Sequence, residues 1–218
     1  ECARLMAEKG WQVFATARQL TDVQKLSALH PNISALQLDV DSDESITHAV
    51  AQISAITGGR LDVLFNNAGY GQPGAVEDIP REALMAQFNT NVFGAWALTN
   101  AVLPLMRAQG AGKVIFNSSV LGFAVLPYRG AYNASKFALE GMADTLRLEL
   151  CHTPVHVSLI QPGPIVSRFR QNGYAHFVKH IQSERSIHHA AYEGLKARLL
   201  KEGVVAPYTL PESAVFDV

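Results

Sequence analysis

Tyr132 and Lys136 stand four residues apart in a helical pattern, and Ser119 precedes the tyrosine by thirteen residues. Positions i and i+4 of a helix share a face, so the phenol and the ammonium can address one ligand. A cation that close favours the phenolate and is expected to draw the tyrosine down from about 10 toward neutrality. A phenol tuned in this way can give or take the proton of a hydroxyl. Ser119 follows the strand-like run Lys113–Asn117, where its hydroxyl can hydrogen-bond a carbonyl oxygen as charge develops there. The chemistry suggested is proton transfer at an alcohol or carbonyl. His176 and His180 are also four apart, but no third ligand accompanies them. They read as polar residues of a flap, and no metal is expected.

The elements that must position these groups alternate in period. Glu1–Lys9 reads as a helix stopped by Gly10, followed by a strand at Trp11–Ala17 and a helix at Asp22–Leu29. Ser34–Val40 is a second strand. Asp41–Ser45 carries helix-start residues, with Ile46, Ala49, Val50 and Ile53 then apolar at helical spacing. Leu61–Asn66 is a strand apolar on both faces, as buried parallel strands are. Pro80–Met106 reads as one long helix with an irregular start, carrying the apolar stripe Val92, Ala95, Leu98, Thr99 and Val102. Lys113–Asn117, a helix at Tyr132–Leu150 and a strand at Val155–Ile160 complete the pattern. Ser167–Val218 is mixed and polar, with a helix expected near Ile187–Lys201. Such alternation predicts right-handed βαβ units in an α/β fold: a doubly wound parallel sheet, three layers, one domain.

Composition narrows the function classes. The 218 residues suit one α/β domain, and 48% hydrophobic content with 17% charged residues is enough for a core. A formal net charge of -1 gives no basic surplus to neutralise phosphates, so no nucleic acid is expected as a partner. No apolar run is long enough to span a bilayer. Two distant cysteines, Cys2 and Cys151, fit a reduced, cytoplasmic protein, with Cys151 expected to be a small buried residue.

Taken in order, these motifs resemble the short-chain dehydrogenase/reductase family, over essentially the whole chain. Leu64–Gly69 resembles its N-N-A-G motif, Asn91 its asparagine, Ser119 its serine, Tyr132 and Lys136 its tyrosine–lysine pair. Pro162–Gly163, then Ile165 and Ser167, match the P-G turn of the family, with serine where threonine is more usual. Asn66–Leu150 is most similar to members related to hydroxysteroid and retinol dehydrogenases. The resemblance implies an oxidoreductase that moves a hydride between a nicotinamide cofactor and a small-molecule alcohol or carbonyl. It implies Tyr132 as general acid/base, Lys136 on the nicotinamide ribose, Ser119 on the substrate oxygen, and Asn91 holding a water in a relay to Lys136. Asp39 and Val40 would contact the adenine, Asn67, Ala68 and Gly69 the ribose, and the Ile165 backbone the carboxamide. Gly69 is expected to be glycine so that the backbone can approach the cofactor.

Arg18 bears on which cofactor. NAD sites put a carboxylate past the second strand, NADP sites an arginine beside the 2′-phosphate. No acid occupies Thr16, Ala17 or Arg18, so NADP(H) is expected over NAD(H). Leu121, Phe123, Val125, Tyr128 and Arg168–His189 are expected to set the substrate, a hydrophobic one. The family's oligomers imply a homodimer or homotetramer through Asn91–Met106 and Tyr132–Leu150. Its T-G-x-x-x-G-x-G loop and first strand, which would precede Glu1–Lys9, are not in the sequence, nor is its last strand after Pro211–Val215. Upstream residues are therefore expected, and the phosphate-loop glycines cannot be named. The rival readings are a catalytically silent dinucleotide-binding regulator and a sugar-nucleotide epimerase or dehydratase of the extended branch.

Overall fold

The computed structural model describes residues 1–201, 203–204 and 207–216. The end of the expected mixed segment, 217–218, lies outside the described residues, as do 202 and 205–206. In chain order the elements are α1 (Cys2–Glu8), β1 (Val13–Ala17), α2 (Leu20–Ser27), β2 (Ile33–Gln37), α3 (Asp43–Thr57), β3 (Val63–Asn66), α4 (Arg81–Phe88), α5 (Ala95–Gln109), β4 (Gly112–Asn117), α6 (Gly130–Glu149), β5 (Val155–Ile160), α7 (Phe169–His180) and α8 (His189–Leu200).

Every strand pairing is parallel. β1 pairs with β2, Val13 opposite Ile33; β4 lies between β3 and β5, with Val114 opposite both Leu64 and Val157. The strands thus form two parallel sheets flanked by helices, in the α/β fold expected, whose central strand was expected to precede the sequence. β1 and β3, which a 3-2-1-4-5-6 order sets on either side of its central strand, exchange no ladder bonds among the described residues.

Local chemistry explains the helix ends. Ser42 caps α3 by accepting from the Ser45 N–H at 3.2 Å, with Asp43 and Glu44 in the first turn, and Gly58 ends it at φ 64°. The main core lies between β3–β4–β5 and helices α3, α5 and α6. It contains Leu64, Val114, Phe116, Val155 and Val157 from the strands, and Leu139, Ala143 and Leu146 from α6. The stripe Val92, Ala95, Leu98, Thr99 and Val102 is buried throughout. Each large apolar side chain buried here stabilises by roughly 1.5–3 kcal/mol.

The long helix expected over Pro80–Met106 is broken in its middle. A π-helical turn, Asn89–Gly94, joins α4 to α5. Gly94 is why the turn can sit where it does: a Cβ there would come within 2.6 Å of the Val40 carbonyl oxygen. A helix not expected from the sequence, α7, packs with α8 around a second core of Phe177, Ile181, Tyr192, Leu195 and Leu199, which also takes in Ala75. This pair forms a cap over the segment that follows β3. Cys151 is exposed, not buried, because the chain has already left α6 there.

Candidate active site

The carboxyl ends of β3, β4 and β5 deliver the chemistry-bearing residues to one edge. β3 leads to Asn67–Gly69, β4 to Ser118–Ser119, and β5 to Pro162–Ser167. Tyr132 lies in the first turn of α6 with Lys136 one turn on, and both side chains are buried. The Lys136 Nζ donates to the Asn117 carbonyl at 2.7 Å and lies 5.7 Å from the centre of the Tyr132 ring. The Ser119 hydroxyl accepts from the Leu121 N–H at 3.1 Å and acts on the Tyr132 phenol in favour of its phenolate. Asn117 donates its side-chain amide to Asn67 Oδ1 at 2.7 Å, tying the ends of β4 and β3 together. The three residues picked out by spacing thus share one buried pocket.

Their electrostatics differ from expectation. Burial pushes the Tyr132 phenol above its ordinary value, outweighing the Ser119 hydrogen bond and the Arg129 charge, which favour the phenolate. Burial also lowers Lys136, to about 8, with Glu140 opposing the shift. Lys136 is not among the charges that favour the phenolate, and burial outweighs those that do, so the lowering suggested by the spacing is not found. Desolvation of both groups decides the matter.

The lysine shift has a consequence for stability. An unfolded lysine holds its proton up to about 10.5, so between about 8 and that value the unfolded chain binds more protons. Unfolding free energy should therefore rise with pH from about 8, by on the order of 2 kcal/mol. The rise should cease above about 10, where unfolded tyrosines ionise before Tyr70, Tyr132 and Tyr192, which are held up by burial. Urea titrations across this range should show that rise in the parent and its loss in Lys136→Met, where the raised Cys2 thiol and tyrosines leave stability level or falling.

The π turn aims Asn91 at the same edge. Its Nδ2 donates to the Tyr70 carbonyl at 2.9 Å and to Ser135 Oγ at 3.0 Å, and its Oδ1 accepts from the Tyr70 N–H at 3.0 Å. The side chain is thus engaged on a backbone loop, close to the same point at Gly69 that Lys136 approaches. Ser135 donates in turn to the Tyr132 carbonyl at 2.8 Å. Asn91→Ala would strand buried partners on both sides and should cost about 3 kcal/mol, read as a lower urea midpoint at unchanged slope. Gly69 is glycine because of the same residue: a Cβ there would sit 3.2 Å from Asn91 Oδ1 and 4.0 Å from Lys136 Nζ.

The other expected positions fall around this edge. Arg18 is exposed at the end of β1; its carbonyl accepts from Gln37 Nε2 at 2.9 Å, and its charge acts on Tyr70 and His176. Asp39 and Val40 are half-buried past β2, where Asp39 Oδ1 accepts from the Asp41 N–H at 3.1 Å. Pro162 accepts from the Val120 N–H at 3.1 Å, and Gly163 is exposed. Ile165 bridges Leu210 through bonds to Pro164 and Val166, which leave its own N–H and C=O out of the bridge. Ser167 Oγ accepts from the Phe169 N–H at 3.4 Å at the start of α7. Leu121 is half-buried beside Ser119. Tyr128 turns into the cap, its ring 5.7 Å from His188 and 5.9 Å from Tyr192. His176 stacks on Tyr70 at 4.0 Å, and His180 stacks behind it at 6.3 Å. No group of three potential metal ligands occurs among the described residues.

Residues 1–176 match the sequence profile of the family described as short chain dehydrogenase. The chain belongs to that family. This short chain dehydrogenase is 37% identical over its whole length to YbbO of Escherichia coli (strain K12), named an uncharacterized oxidoreductase, and spans 74% of that protein. It is 41% identical to human retinol dehydrogenase 8 over 74% of its own length, which is 52% of that protein. A short-chain dehydrogenase from Streptomyces avermitilis superposes with a TM-score of 0.73 at 29% identity, over 99% of this chain and 84% of the other. The closed form of a serine dehydrogenase complexed with NADP+ superposes with a TM-score of 0.82 at 25% identity, over 99% and 81%.

Sequence alone does not single out Ser135 in this dehydrogenase, and takes in Phe169 only as one of the run Arg168–His189. The Phe169 ring meets Tyr132 edge-on, 5.3 Å between centroids, and closes on Gly71, where a Cβ would come within 2.9 Å of it. The signal for Ser135 was available, since it lies one turn from Tyr132. Phe169 lies in a helix whose pattern is too weak to announce it.

Proposed function

We propose that this chain carries out NADP(H)-dependent interconversion of an alcohol and a ketone or aldehyde, with Tyr132 as general acid/base. The observation that carries the reading is the burial of Tyr132 with Ser119 and Lys136 in one pocket at the strand ends of a short chain dehydrogenase. In reduction, the phenol, kept protonated by burial, gives its proton to the substrate oxygen. The Ser119 hydroxyl holds that oxygen and donates to it as negative charge builds. Lys136, anchored on Asn117, is poised to return a proton to the phenolate or bind a ribose hydroxyl.

The residues present fit a nicotinamide dinucleotide. The N–H and C=O of Ile165 are free of its bridge to Leu210, Asn67–Gly69 are exposed at the end of β3, and Arg18 is a cation without an acid partner at the end of β1. Asn67, Ala68 and Gly69 would line the ribose, Asp39 and Val40 the adenine, and Pro162, Gly163, Ile165 and Ser167 the nicotinamide end. The dinucleotide, when bound, supplies or accepts the hydride. Arg18 favours the phosphorylated form, since a guanidinium fork pairs with a phosphate. The NADP+ complex of the serine dehydrogenase, at 25% identity, supports the same choice.

Leu121, Phe123 and Val125 supply apolar surface beside Ser119, and Phe169 supplies it over Tyr132. The substrate body is accordingly hydrophobic. A shallow apolar groove lined by Trp96, Phe137, Ala138 and Met142 between α5 and α6 suits a homodimer or homotetramer, to be read by light scattering. No described helix is long and apolar enough to cross a membrane, and the two cysteines are unpaired, which suits a reducing, cytoplasmic setting. The test of the activity is the absorbance of the reduced cofactor, followed with NADPH and NADH against ketones, aldehydes and steroids. Turnover with none of them would sink the proposal.

A further inference from the structure

Glu140 lies on α6 one turn beyond Lys136, so the two side chains leave the same face of the helix. It is half-buried, and its two oxygens meet different segments. Oε2 accepts from Gln161 Nε2 at 2.9 Å, and Gln161 leads into the Pro162–Gly163 turn. Oε1 is buried and has no hydrogen-bond partner among the described residues. It lies against Gly122, in the turn after Ser119: a Cβ there would come within 2.8 Å of Glu140 Cγ and 2.9 Å of Oε1. The same Cβ would come within 2.9 Å of Ser118 Oγ. Ser118 is 4% exposed, and its hydroxyl also has no partner among the described residues. Two buried, unsatisfied oxygens, one on a carboxylate and one on a hydroxyl, therefore flank the same space, kept open by a glycine.

Buried polar atoms rarely go without partners, and a carboxylate oxygen is the costlier of these two to leave so. A serine hydroxyl can rotate to aim its proton, and a carboxylate only accepts, so each supplies what the other lacks. The segments joined here are those that carry the site. Ser118 stands between Asn117, whose carbonyl anchors Lys136, and Ser119. Its N–H donates to the Ile160 carbonyl at 2.8 Å, at the end of β5. Pro162, next to Gln161, accepts from the Val120 N–H, next to Ser119. The Glu140 charge also acts on Lys136, opposing loss of the lysine proton, while Gln161 and Ser118 beside it are neutral. We propose that Glu140 is a positioning residue: accepting from Gln161 on one oxygen and from Ser118 on the other, it fixes the ends of β4 and β5 against α6 and stands as the counter-charge of Lys136. This rests on the catalytic reading of Ser119 and Lys136 and adds to it the group that places them.

The test uses Glu140→Gln and Glu140→Ala in the full-length protein. Glutamine keeps an acceptor for Gln161 and a group that Ser118 can bond, but carries no charge; alanine keeps none of these. Stability against pH reads the charge without any turnover. Losing the carboxylate should let the folded lysine give up its proton earlier, so the unfolded chain holds the extra proton over a wider range. The rise of unfolding free energy with pH, which begins at about 8 in the parent, should therefore begin about 1 pH unit lower in Glu140→Gln. A side chain acting only through its bonds would lower stability equally at each pH and leave the onset in place. Kinetics read the positioning. Glu140→Ala should lower kcat/KM for NADPH-dependent carbonyl reduction by roughly 10-fold to 100-fold. Glu140→Gln should stay within a few-fold of the parent at about pH 6, where the lysine is charged in both, and fall about 5-fold further behind at about pH 8. An onset unmoved by Glu140→Gln, or a Glu140→Ala enzyme at the parent rate, would overturn the assignment. Should Glu140→Ala fail to fold, the onset and the pH-dependent rate of Glu140→Gln decide alone. If the parent turns over no alcohol or carbonyl compound, the catalytic reading falls instead. The onset then still decides whether Glu140 is the counter-charge of Lys136.

Discussion

Tyr132→Phe is expected to lower kcat/KM for carbonyl reduction by about 10³-fold or more, with NADPH affinity unchanged within a few-fold. The substitution removes one oxygen and keeps the ring, so the edge-on contact with Phe169 and the packing of α6 should survive. What is lost is the proton donor. Neither neighbour can replace it: Ser119 is far too weak an acid, and Lys136 is turned to the Asn117 carbonyl at 2.7 Å. Steady-state rates and cofactor fluorescence titration measure the two halves of this expectation. A variant that kept a tenth of the parent rate would show that another group delivers the proton.

The second large effect concerns the cofactor. Arg18→Ala should raise KM for NADPH by roughly 10-fold to 100-fold, as expected for loss of a charge-assisted pair, and should leave KM for NADH nearly unchanged. Arg18 is exposed and forms no ion pair among the described residues, so the change should not move stability by more than about 0.5 kcal/mol. Parallel kinetics with the two cofactors, alongside a thermal melt, make the comparison. If both cofactors weaken together, Arg18 is not reading the phosphate.

The two predictions lie at opposite ends of the site, and the geometry between them is set by backbone contacts. Asn91 grips both main-chain groups of Tyr70, and Gln87, also buried, accepts from the Gln72 N–H and donates to the Tyr70 carbonyl, each at 2.6 Å. The loop after β3 is therefore fixed by two amides from α4 and the π turn. On the cap side, Tyr192 and Ser186 both donate to Asp78, and the Ala75 N–H donates to the Tyr192 hydroxyl at 3.0 Å. That junction holds α8 over the segment that follows β3.

Much of this was legible in the amino-acid order. Alternating periods announced the strands and most helices, because a strand buried on both faces and a helix buried on one leave different marks. The pair Tyr132 and Lys136 was legible for a similar reason, since four residues on a helix return to one face whatever surrounds them. Ser119, Asn91 and Pro162–Gly163 were legible as a set, in the order and spacing of a family.

The rest depended on contacts between segments distant in sequence. The π turn at Asn89–Gly94 has no local signature; it exists because Gly94 meets Val40, some fifty residues earlier, and because Asn91 finds Tyr70. Helix α7 buries only Gly173 and Phe177, too little for a periodic pattern, and its place comes from packing with α8. The sign of the shift on Tyr132 was misjudged because spacing reports which charges are near and says nothing of how much water has been removed. The order of the residues determined which groups could meet at the strand ends; only the folded chain decided how dry they are, because desolvation depends on everything packed around a group.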